Sequence, residues 1–143
     1  MKESGNFLKL EVVWKDEYML ELEVTVSNNG FSAVAYGYDT AECLEKLAKE
    51  LKGFPKFDRS ISYKMENSGG GSFTKWHSIR FTPIIDSGLA GVKVDLEHDG
   101  AIDCQNSTVS VELVAEPNSV DIFKTCLTAL ASSQTGSAKM VGK

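Results

Sequence analysis

A chain of 143 residues with 42% hydrophobic and 24% charged side chains has the size and balance of one globular domain. Its net charge of -5 excludes nucleic acid as an expected main ligand, because phosphate binding needs clustered Lys and Arg. No apolar run approaches the roughly 20 residues of a membrane helix, and Met1-Lys2-Glu3-Ser4-Gly5-Asn6 lacks the apolar stretch of a signal peptide, so a cytoplasmic protein with no membrane partner is expected.

Leu8, Leu10, Val12 and Trp14 alternate with Lys9, Glu11 and Val13, which predicts a first strand. Lys15-Asp16-Glu17 then supplies the polar connection of a hairpin. In the second strand Tyr18, Leu20, Leu22, Val24 and Val26 form a core-facing set, while Met19, Glu21, Glu23 and Thr25 face away. Asn28-Asn29-Gly30 tolerates positive φ and turns the chain into a third strand over residues 31–38. A helix is predicted over 39–52. Asp39 serves as its N-cap with Glu42 three residues on, Ala41, Leu44, Leu47, Ala48 and Leu51 recur at helical spacing, and Gly53 and Pro55 end it.

Strand patterns return with Ile61, Tyr63 and Met65, followed by the loop Asn67-Ser68-Gly69-Gly70-Gly71-Ser72. The next strand carries bulky residues on both sides: Phe73, Ile79 and Phe81 on one, Trp76 on the other. Val92, Val94 and Leu96 alternate cleanly with Lys93, Asp95 and Glu97, and Val109, Val111 and Leu113 alternate with Ser110 and Glu112. A second helix over 118–131 follows the cap signal Pro117-Asn118-Ser119, with Val120, Phe123, Leu127 and Leu130 as its stripe. Residues 132–143, rich in Ser, Gln, Thr, Gly and Lys, read as a disordered tail, which leaves 1–131 as the single domain.

No catalytic, metal or cofactor motif emerges. The Gly69-Gly70-Gly71-Ser72 run lacks the following helix and Lys of a phosphate cradle and reads as a hairpin loop. His77 lies mid-strand, and His98 lies in a polar turn where Glu97, Asp99 and Asp103 offer at most a weak cation site. Cys43, Cys104 and Cys126 are widely spaced, odd in number and without a Cys-x-x-Cys pair, so they read as isolated thiols.

Six acids, Glu11, Glu21, Glu23, Asp95, Glu97 and Glu112, each sit opposite an apolar position on their own strand. If the strands share one sheet whose other face is covered by helices, these acids converge on one exposed surface, with Trp76 as an aromatic anchor and Tyr36 nearby. Such a surface suits a basic protein partner. The plainer alternative is that half-exposed strands simply need polar outer residues, of which Glu is one.

Residues 7–130 also resemble a family. The opening hairpin, the strand entry Gly30-Phe31-Ser32, the helix Ala41-Glu42-Cys43-Leu44-Glu45-Lys46-Leu47, the later meander and the closing Asn118-Ser119-Val120-Asp121-Ile122-Phe123 carry the likeness. In pattern and order they are similar to small bacterial α+β immunity proteins of polymorphic toxin systems, of the kind exemplified by the WapI immunity family. The resemblance implies a non-enzymatic cytoplasmic protein that binds and neutralises a cognate toxin, and it carries no catalytic residue onto this chain.

The expected fold is therefore α+β, an antiparallel sheet of about six or seven strands with two helices packed on one face. The expected function is protein binding through the acidic face. Two alternatives remain: a small-ligand or enzymatic domain with a pocket near His77, and a homodimer formed through the open sheet face or an edge strand.

Overall fold

The structure, a computed structural model, describes residues 5–55, 59–64, 74–84, 86–98 and 107–143, apart from the side chains of Thr74, Lys75, His77 and His98. The order is β1 (Phe7–Lys15), β2 (Leu20–Asn28), β3 (Phe31–Asp39), α1 (Ala41–Glu50), β4 (Ile61–Lys64), β5 (Thr74–Pro83), β6 (Ala90–His98), β7 (Ser107–Ala115), α2 (Pro117–Ser133) and β8 (Ser137–Val141). The α+β class and antiparallel pairing agree with expectation, but the single sheet of six or seven strands does not. Among the described residues, eight strands form two antiparallel groups of four, β3-β2-β1-β8 and β4-β5-β6-β7. One parallel bridge between Tyr36 and Lys75 joins the groups. Each half of the chain runs meander, helix, strand, and its fourth strand crosses over: β4 pairs β5, and β8 pairs β1.

Local chemistry explains the boundaries. In the first hairpin, the Asp16 carboxylate accepts the backbone N–H groups of Tyr18 and Met19, both at 2.8 Å, so the turn is held by its own side chain. These bonds hold the Asp16 carboxyl below its ordinary pKa. Asn29 and Gly30 take positive φ at the second turn, which lets β2 and β3 pair from Asn28↔Phe31 onward. The N-cap of α1 is Thr40, whose hydroxyl accepts the Cys43 N–H at 3.3 Å, and not Asp39 as expected. Asp39 is instead fully buried, where its carboxylate accepts the Tyr63 hydroxyl and the Thr40 N–H. The second helix starts at Pro117, a residue suited to the first helical turn, and ends when Gln134 enters the left-handed region.

The expected disordered tail is ordered. Ala138 and Met140 are fully buried, and β8 pairs with β1 from Phe7↔Val141 to Glu11↔Ser137. Its short alternation of Ser137, Lys139 and Val141 with two buried residues is enough, because β1 presents an unpaired edge to it.

Two bulges reverse the expected placement of the tryptophans. In β1 the register shifts between Val12 and Trp14, so Leu8 and Leu10 face the core but Trp14 pairs with Glu21 and points outward at 47% exposure. In β5 it shifts between Trp76 and Ser78, so Trp76 faces inward with Leu96 and, beyond the bulge, Ile79 and Phe81 do so too. Tyr18, expected in the core, precedes β2 and is exposed. The core is one cluster drawn from both strand groups and both helices. Phe81 of β5 touches Phe54 beyond α1 and Phe123 of α2, with ring centres 6.3 and 6.2 Å apart, which places both helical segments on the inner side of the strands.

Candidate functional site

The uncovered outer face of the first strand group is built from three neighbouring strands. Register places Glu11 opposite Glu23, and Glu23 opposite Tyr36; one step along, Trp14 lies opposite Glu21, and Glu21 opposite Tyr38. The Trp14 and Tyr38 rings, from strands on either side of Glu21, meet edge to face at 5.9 Å. Directly opposed like charges such as Glu11 and Glu23 disfavour the sheet. Two contacts temper the repulsion: Lys9 lies 3.8 Å from Glu11, and the Tyr36 hydroxyl donates to Glu23 Oε2 at 3.0 Å. The bond to the Glu23 carboxylate, partial burial and the Glu23 and Glu21 charges all raise the Tyr36 pKa above its ordinary value.

The other expected acids lie on the second strand group. Glu97 continues the Glu11, Glu23 and Tyr36 row through the Tyr36↔Lys75 bridge and the Lys75↔Glu97 pair. Asp95 sits beside Ser78, whose hydroxyl donates to it at 3.4 Å, and Glu112 lies across the strand from Lys93. The acids therefore do not form one patch: Glu11, Glu21 and Glu23 cluster, Glu97 lies along their row, and Asp95 and Glu112 belong to a mixed-charge surface. Trp76 is not on any exposed face. It is fully buried with its ring 4.9 Å from Tyr63, because the bulge turns it inward. The aromatic rings that meet on the acidic face are those of Trp14 and Tyr38. Strict alternation concealed Trp14, since nothing in the sequence marks the bulge after Val12.

Several other candidates fall outside the described residues: the Gly69 loop, Asp99, Asp103, Cys104 and the side chains of His77 and His98. Cys43 and Cys126 are half-buried against the core. Among the described residues there is no group of three or more His, Cys, Asp or Glu side chains placed to hold a metal ion, and no helix long and apolar enough to cross a membrane. No protein-family model matches the chain, and neither does any curated protein or solved structure.

Proposed function

We propose that the chain is a non-enzymatic protein-binding module that docks a basic partner on the outer face of β1, β2 and β3, as an immunity protein docks its toxin. The observation that carries this reading is the opposition of Glu11 and Glu23 beside Glu21, crossed by the half-exposed Trp14 and Tyr38 rings. A basic side chain inserted there relieves carboxylate repulsion, and the rings supply the apolar contact area that anchors interfaces. Docking on this face would block a toxin's active site or its access to substrate, in the cytoplasm of the producing cell.

The test is co-expression and pull-down with the products of neighbouring genes. A toxic neighbour that this chain binds and neutralises supports the proposal; neighbours that neither bind nor harm the cell overturn it. Glu21→Lys with Glu23→Lys reverses two charges on the face and should slow association by roughly tenfold or more at low salt. Unchanged association kinetics would place the interface elsewhere.

A further inference from the structure

A second surface feature stands apart from that face. An open groove of about 740 Å³ runs over the outer side of β5, β6 and β7. Its rim comes from the other strand group. Asn28 donates its side-chain amide to the Glu112 carbonyl, the Lys143 N–H donates to the Val114 carbonyl at 2.8 Å, and Asn6 accepts the Asn29 N–H at 3.0 Å. The first two bonds cover part of the otherwise open edge of β7, and the third ties the rim residues to each other.

Two features of the groove need explanation. Arg80 and Lys93 are direct cross-strand neighbours on its surface, an unfavourable like-charge pair; Glu112 lies opposite Lys93 on the far side of the row, but neither cation makes an ion pair with a described residue. One row further, Gly91 lies between Thr82 and Val114 in the middle of the sheet. Its φ does not require glycine, and an added Cβ would meet nothing closer than 3.6 Å. A glycine inside a strand weakens it, and here its missing side chain leaves a shallow floor flanked by the Ile84 side chain, which an added Cβ would meet at 3.7 Å.

We propose that this groove binds a small organic anion, with Arg80 and Lys93 clasping its carboxylate or phosphate and Gly91 opening the floor to the rest. The amides of the rim and the hydroxyls of Ser60 and Thr82 suit a hydroxylated, polar remainder. An anion seated between Arg80 and Lys93, on the side of Lys93 away from Glu112, offsets the repulsion between the two cations. Size agrees, since small-molecule sites are commonly about 300–1,000 Å³.

The full chain is titrated with glucose 6-phosphate, with citrate and with glucose, following backbone amide resonances. Saturable shifts at Gly91, Lys93 and Asn29 with one or both anions, and none with glucose, are expected; the two anions separate a phosphate from a carboxylate preference. Arg80→Gln with Lys93→Gln, both at exposed positions, should weaken binding roughly tenfold or more. Gly91→Val, which fills the floor with a strand-favouring side chain, should do the same while leaving the circular dichroism spectrum unchanged. Absence of saturable shifts with both anions, equal shifts with glucose, or wild-type affinity in the Arg80 and Lys93 double variant overturns the proposal. None of these outcomes bears on the acidic face.

Discussion

Tyr36 and Trp76 show how single side chains divide the molecule into a surface that titrates and a core that packs. The Glu23 carboxylate holds the phenolic proton of Tyr36, so the folded chain releases it at higher pH than the unfolded chain does. Stability from this bond is fully present below the ordinary tyrosine value of 10.0 and is lost as pH rises through the raised folded value. Tyr36→Phe should therefore flatten the fall in stability above about pH 10, measured by urea unfolding at successive pH values, while leaving its slope near neutrality unchanged. A variant with the same alkaline slope as the parent would show that the bond does not form in solution. The two tryptophans make a second comparison. Trp76→Ala empties a fully buried site against Tyr63 and should cost about 3–5 kcal/mol, whereas Trp14→Ala on the outer face should cost about 1 kcal/mol or less. Chemical denaturation of both variants reads the difference directly. Equal costs would mean that Trp14, and not only Trp76, is packed.

At the scale of elements, β8 carries the sharpest consequence. It covers the outer edge of β1 with five residues, two of them fully buried. Met140→Ala should lower stability by about 2–5 kcal/mol, and removing residues 137–143 should expose the β1 edge and drive self-association visible by size-exclusion chromatography. A monomeric truncated chain of unchanged stability would contradict that role. Sequence patterning could not find this strand, because five residues, of which only Ala138 and Met140 are buried, flanked by Ser, Thr, Gly and Lys, carry too little periodicity to stand out from a polar tail. The meander of β1, β2 and β3 was legible for the opposite reason: long alternations bounded by Asp16 and by Asn28-Asn29-Gly30 combine pattern with turn chemistry. Strand facing was legible only between bulges. Each inserted residue swaps the inner and outer sets, which moved Trp14 out and Trp76 in, and so displaced the aromatic component of the candidate site while leaving Glu11, Glu21 and Glu23 where alternation put them.

At the scale of the whole molecule, the exchange of fourth strands makes the two halves interdependent. Each half contains a meander, a helix and one more strand, yet that strand completes the other half's sheet. The helices α1 and α2 pack on each other, and the core residues of both halves form one cluster. A half on its own would leave an unpaired edge on its first strand, an orphan fourth strand and a helix with half its cover removed. The apolar area it could still bury would not offset the ordering entropy of the chain. Cutting the chain between Lys64 and Thr74 separates the halves without removing any described strand or helix. Each fragment alone should show weak circular dichroism or associate through its open edges, and an equimolar mixture should regain the native spectrum and elute as a one-to-one complex. The rim bonds from Asn28 and Lys143 to the edge of β7 cross between the groups, so the groove over β5 to β7 should form in the mixture and be absent from the second fragment alone. If instead either fragment folds as a stable monomer, the halves are separate domains joined at a seam, and the exchanged strands are only an ornament of the interface.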